Sequence, residues 1–276
     1  MGTGKYMNIR GKKLYVETYG NLKNKPVLYL HGGPGESCYD FSFHQAERLK
    51  DSLYVIMIDQ RGVCRSEEIT EDEAFGLHDL IEDCEELKKV LQIEKWSVIG
   101  HSFGGYVALL YASIYPSSIE KIIFEAPTFD FALTSKALLQ KTGHLLKKYG
   151  KEEVAEESLT YSSSNATSEE LLEAYIRLSD ELKEKRMEIY NYKEDETDES
   201  LYSDDEWEVF SKRSKIHFDR LKLEGTVHTS LLRKIKDVQN PMLLIVGKHD
   251  AVTCEKQIET FNKDAQNGDC IVLYCI

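Results

Sequence analysis

Residues Trp96–Tyr115 read WSVIGHSFGGYVALLYASIY. A short apolar strand, Trp96–Ile99, runs into Gly100-His101-Ser102-Phe103-Gly104, and an apolar helical run follows at once. Gly-x-Ser-x-Gly between a strand and a helix predicts a nucleophile elbow. The turn is so sharp that the Ser backbone is strained and its hydroxyl is pushed outward. Side chains at Gly100 or Gly104 would collide with the neighbouring strand or helix. On this reading Ser102 is a nucleophile.

Working outward from the elbow, buried strands alternate with amphipathic helices. Met7 to Tyr19 reads as a hairpin turning at Arg10-Gly11-Lys12. Pro26 to Leu30 and Leu53 to Ile58 are unbroken apolar runs, as expected of strands covered on both faces. A helix is expected over Tyr39 to Lys50 and another over Leu77 to Leu91, the latter with apolar residues at helical spacing. Lys121 to Glu125, Pro241 to Val246 and Cys270 to Ile276 are further strands, with a helix near Cys254 to Asn262. From 130 to 238 the strand rhythm stops and the chain is helical and charged. Ser162 to Asn165 and Asn191 to Asp205 read as loops within it. The expected fold is α/β: a mostly parallel central sheet flanked by helices, made from residues 1–129 and 239–276, with residues 130–238 inserted as a helical cap.

The chain has 276 residues, enough for one such domain. No apolar run approaches the roughly 20 residues of a membrane span, and the N-terminus lacks the apolar core of a signal peptide. The expectation is a soluble, cytoplasmic protein. The six Cys have no metal spacing and read as free thiols. A net charge of −13 argues against nucleic-acid binding. Residues 151–210 hold 6 Lys/Arg against 20 Asp/Glu, a net of −14. That acidity reads as a solvated helical face, with attraction of cationic substrates as the functional alternative.

Three loops follow the C-terminal ends of buried strands, the edge at which open α/β sheets bind ligands. His31-Gly32-Gly33-Pro34-Gly35 offers flexible backbone N–H groups, which with the N–H of Phe103 could cradle an oxyanion. Asp250 lies beyond a late strand, in the Ser-then-acid order of hydrolases that use a Ser–acid–His triad. It would orient and stabilise an imidazolium. Asp130 is a second candidate for that acid.

HGGPG, DQRG, GHSFGG and GKHD, in this order and over nearly the whole chain, resemble the proline iminopeptidase family of α/β-hydrolase serine peptidases. The resemblance implies removal of N-terminal residues, preferably proline, from small peptides through an acyl-enzyme and without metal or other cofactor. It implies Ser102 as nucleophile, Asp250 as triad acid, and the Gly33 and Phe103 N–H groups as the oxyanion hole. Family members hold the substrate amine with acids near the cap, for which Asp204, Asp205, Glu206 and Glu208 are candidates. The chain departs from the pattern at Gly62-Val63-Cys64, where Gly-x-Gly is usual, and at His-Ser-Phe in the elbow, where Gly-Ser-Trp is common. That leaves other amides, esters or carbon–carbon bonds as alternative substrates.

The resemblance also places a catalytic His on the loop after the last strand, and a helix beyond it. None of the 26 residues after Asp250 is His. His31 and His101 belong to motifs, and the residue before an elbow nucleophile is expected to point away from it. His249 adjoins the acid, and His217 and His228 fall in or near the cap. The expectation is a hydrolase shortened before its base and its C-terminal helix, with a catalytically impaired chain as the alternative.

Overall fold

Strands of Val, Ile, Leu and Tyr without alternation need cover on both faces, and the fold provides it. The computed structural model describes residues 3–70, 72–191 and 201–274. Eight strands form one sheet in the order β1-β2-β4-β3-β5-β6-β7-β8. They are β1 (Thr3–Ile9), β2 (Lys12–Tyr19), β3 (Lys25–Leu30), β4 (Leu53–Ile58), β5 (Trp96–His101), β6 (Ile119–Glu125), β7 (Met242–Gly247) and β8 (Gly268–Leu273). The hairpin β1–β2 is antiparallel and joins β4 antiparallel; every other pair is parallel. Alternate residues of the central strands enter two different cores. Leu28, Leu30, Ile56, Ile58 and Val98 belong to one, Val27, Tyr29, Val55, Met57 and Ile99 to the other.

The first core is closed by α3 (Leu77–Val90) and α4 (Phe103–Ile114). In α4, Phe103, Tyr106, Val107, Ala108 and Leu109 are all fully buried. Each such side chain contributes roughly 1.5–3 kcal/mol, Ala less. The second core is covered by a bent helical segment. It runs from α1 (Tyr39–Phe41) through a π-type turn to α2 (Glu47–Leu49).

Between β6 and β7 the described chain is helical: α5 (Phe131–Lys148), α6 (Glu152–Ser163), α7 (Ser168–Ser179), a 3-10 stretch Asp180–Ile189, and α8 (Asp204–Glu224). Here one expected loop is only half loop: Ser164 and Asn165 lie between α6 and α7 as expected, but the two serines before them are helical. Ser162 and Ser163 end α6, with both hydroxyls bonded back to Leu159 O. Most of the other expected loop, residues 192–200, lies outside the described residues. α9 (Glu255–Asp264) follows β7.

β8 begins two residues earlier than its apolar run suggests, and Cys275 and Ile276 lie outside the described residues. It pairs only with β7, and Ile271, Leu273 and Tyr274 are exposed among the described residues. The five described cysteines are free. Among the described residues no helix is long and apolar enough to cross a membrane.

Candidate active site

The site is built at the C-terminal ends of β3, β4, β5, β6 and β7. β5 ends at His101, α4 starts at Phe103, and Ser102 between them has φ 51° and ψ −117°. That left-handed backbone costs an L-residue on the order of 1–3 kcal/mol. Three hydrogen bonds hold it: Ser102 N–H donates to Glu125 O (3.0 Å), and Ser102 O accepts from Gly105 N (2.9 Å) and Thr128 N (3.1 Å). Gly104 lets α4 pass the end of β3, because a Cβ there would stand 2.0 Å from Leu30 O.

Across the register pair Leu30–Gly100, β3 delivers the HGGPG loop to the elbow. Gly33 sits at φ 107°, a conformation open to glycine. As the first residue of α4, Phe103 has an N–H with no intrahelical acceptor. The two expected oxyanion donors therefore come from a glycine turn and a helix N-terminus. His31 fastens the loop from below: fully buried, its Nδ1–H donates to Gly32 O and its Nε2 accepts from Gln60 N, both at 3.0 Å. Burial lowers its pKa to about 4.

The DQRG loop is fastened by charge. Buried Asp59 accepts from Cys38 N (3.0 Å) and from Arg65 N, Nε and Nη2 (3.1, 2.6 and 2.9 Å). Burial raises its pKa, but the charge and hydrogen bonds of Arg65 outweigh that and hold it below the usual value. The Gly62-Val63-Cys64 departure does not change the backbone class expected of glycine. Cys64 itself takes φ 44°.

α8 lies across both loops. Ser214 Oγ donates to Gly35 O (2.5 Å), Arg213 Nη1 to Cys64 O (2.8 Å), and buried His217 Nδ1 to Arg61 O (2.7 Å). The four acids proposed for a substrate amine are exposed at the start of this helix. Glu206 forms a capping box with Ser203, and Glu208 pairs with Lys212 at 2.7 Å. Asp204 and Asp205 occupy the first turn, where the helix dipole favours them. Among the described residues no hydrogen bond or ion pair joins any of the four to Ser102.

Asp250 follows β7 as expected. Its Oδ1 accepts from Val252 N (2.7 Å), while Oδ2 is buried and has no hydrogen bond among the described residues. Fully buried Gln257 anchors this loop: Nε2 donates to Val252 O (3.0 Å) and Thr134 Oγ1 (3.0 Å), and Oε1 accepts from Phe129 N (2.7 Å). Asp130, the second candidate, instead caps α5 by accepting from Leu133 N (2.9 Å).

Sequence reasoning passed over two carboxylates. Glu36 directly follows HGGPG, and Glu125 ends β6 opposite His101 in the register. Glu125 Oε2 lies 3.4 Å from His101 Nδ1. Burial lowers the pKa of His101, whose Nδ1 has no hydrogen bond among the described residues, but the nearby Glu125 and the charges of Glu36 and Asp250 outweigh it and raise the net value. Glu36 is exposed as a residue, but desolvation of its carboxyl at the crowded strand end raises its pKa, against the opposing charge of His101. The available signal was position alone, since each glutamate adjoins a motif at a strand end.

Known proteins bear on this arrangement in two ways. Over 120 residues the chain is 36% identical to a putative proline iminopeptidase of Mycoplasma pneumoniae, covering 42% of this chain and 37% of that one. Over 113 residues it is 36% identical to a proline iminopeptidase of Xylella fastidiosa, covering 40% and 35%. The matched segment thus spans little more than a third of these curated relatives. The fold matches the crystal structure of a proline iminopeptidase-related protein from Thermus thermophilus, with TM-score 0.72, 21% identity, and 99% and 89% of the two chains covered. A model of the alpha/beta hydrolase fold matches residues 25–274. With that match and this sheet, elbow and strand-end site, the chain belongs to the alpha/beta hydrolase fold family.

Proposed function

We propose that this protein is a serine hydrolase acting by acyl transfer, and that it releases an N-terminal proline or similar residue from small peptides. Ser102 attacks the substrate carbonyl, and the oxyanion rests on the N–H groups of Gly33 and Phe103. The acyl-enzyme is then hydrolysed by water. Asp250 supplies negative charge that stabilises the imidazolium formed when a base takes the Ser102 proton. Residues 130–238 act as the cap over a core of residues 1–129 and 239–276, with α8 clamped to both substrate-side loops. The observation that carries this reading is the strained backbone of Ser102, at φ 51° between a strand end and a helix N-terminus. Such strain is kept where the surrounding structure serves a function. Similarity to the proline iminopeptidases supports the peptidase assignment.

A second reading is hydrolysis of other acyl compounds, esters or carbon–carbon bonds among them. It is favoured by the helix-local partners of Glu206 and Glu208. Turnover of prolyl-arylamide, p-nitrophenyl esters and a vinylogous diketone by the wild type and by Ser102→Ala separates the two. Prolyl-arylamide turnover lost by about 10⁴–10⁶-fold in Ser102→Ala is the expected result. Ester or diketone turnover without arylamide turnover selects the second reading. Equal rates in both proteins refute Ser102 as nucleophile.

A further inference from the structure

Thr134, in the first turn of α5, is buried, and its hydroxyl meets polar groups from three different segments. Its Oγ1 lies 2.8 Å from Val252 O in the Asp250 loop, 2.8 Å from Thr128 Oγ1 in the loop after β6, and 3.0 Å from Gln257 Nε2 on α9. A hydroxyl has one proton to give and two lone pairs to fill. Val252 O can only accept, so it takes the Thr134 proton. Thr128 and Gln257 must then both donate to Thr134. Every position on this hydroxyl is filled, and the direction of each bond is fixed. Thr128, Thr134, Val252 and Gln257 are all buried, where an unpaired polar group costs most.

The two ends of this junction lead to the two residues that the proposed mechanism uses. On one side the Thr128 N–H donates to Ser102 O at 3.1 Å, one of the bonds that hold the strained elbow. On the other the Val252 N–H donates to Asp250 Oδ1 at 2.7 Å. With Oδ1 held this way, the direction of Oδ2 is set by where Val252 sits. Thr253 Oγ1 donates to Pro127 O at 2.6 Å and ties the same two loops a second time.

The cap reinforces the acid side. Val252 is buried in the apolar core built by Leu138 and Leu139 of α5 and by Leu171, Tyr175 and Leu178 of α7. About two turns beyond Thr134, Lys141 Nζ donates to His249 O at 3.2 Å. One cap helix therefore fastens the Asp250 loop on both flanks of the acid.

We propose that Thr134 is a positioning residue that sets Asp250 relative to Ser102 and couples both to the cap. The inference rests on the readings of Ser102 as nucleophile and Asp250 as acid. A triad acid works only at hydrogen-bond distance from its imidazole, and a displacement of about 1 Å costs up to about 10²-fold in rate. Thr134 touches neither residue directly and acts through the Thr128 and Val252 backbones. A cap that shifts as substrate enters carries the acid with it.

The test removes the hydroxyl and keeps the shape. With the substrate that the wild type turns over, Thr134→Val is expected to lower kcat by about 10–100-fold with KM within about twofold, and Thr134→Ser to stay within about threefold of the wild type. In the Asp250→Asn background the Thr134→Val loss should shrink, because part of it passes through the acid. Hydrogen exchange reads the junction without turnover. In Thr134→Val the Val252 and Thr128 amides are expected to exchange about tenfold faster or more, beyond any change in the amides of β3 and β5. Val252→Ala, which empties the loop's seat in the cap core, gives the same reading if Thr134→Val does not fold.

Unchanged kcat in Thr134→Val, or an equal loss in Thr134→Val and Thr134→Ser, overturns the proposal and leaves Ser102 and Asp250 in their roles. A loss undiminished in the Asp250→Asn background does the same. Turnover unaltered by Asp250→Asn, or a wild type without Ser102-dependent turnover, overturns the reading beneath the proposal and the proposal with it.

Discussion

Ser102 keeps a backbone that most L-residues avoid because its neighbours leave it no alternative. Gly104 is the residue that makes this possible. A methyl group 2.0 Å from Leu30 O must push α4 off the end of β3. Gly104→Ala is expected to cost about 3 kcal/mol or more, read as a fall in the urea midpoint. Gly247→Ala is the control, since its Cβ would find its nearest neighbour at 4.0 Å and the change should be near neutral. The elbow glycines were legible in the sequence, because the steric demand is local to five residues. The direction of the His101 ring was not. It depends on where Gly32 and Glu125 arrive from two other strands, 69 and 24 positions away.

At the scale of elements, the site is a set of strand ends made rigid by buried polar clamps. Gln257 on α9 joins the loop after β6, the start of α5 and the Asp250 loop through one side chain. Gln257→Leu keeps the volume but leaves the Phe129 and Asp130 N–H groups without their acceptor, at about 1–3 kcal/mol. If Asp250 acts as proposed, kcat should fall more than the stability loss explains, while KM changes little. Steady-state kinetics beside urea unfolding checks this. Most elements were legible from apolar runs and helical spacing. The end of α6 was missed because Ser162 and Ser163 read as loop formers. In the structure their hydroxyls bond back within the helix and no longer compete with it. The grip of α8 on the HGGPG and DQRG loops was also missed, because its polar contacts leave no periodic apolar signature.

For the whole molecule, the cost of building the site from buried imidazoles should show as acid sensitivity. His31 and His217 are fully buried, and burial lowers their pKa values to about 4 and about 3. Between those values and the ordinary 6.5, the unfolded chain binds protons that the folded chain refuses. Stability is therefore full above 6.5 and falls with pH, by up to about 1.4 kcal/mol per pH unit for each His. His101, raised in the fold, contributes stability that is full below 6.5 and is lost as pH rises above it. Urea unfolding between pH 6 and 4.5 should show the loss, and His217→Gln should reduce its slope by about half.

The sequence by itself determined the sheet, the elbow and the order of the loops, because strand burial and tight turns are governed by residues adjacent in the chain. It also placed Ser102 and Asp250 at strand ends. Only the tertiary structure decided which charged groups meet there. The register of β3, β5 and β6 brought Glu36 and Glu125 to His101, while the start of α8 gave Glu206 and Glu208 partners on their own helix. Charges act through space at distances set by packing, and no spacing along the chain encodes that convergence.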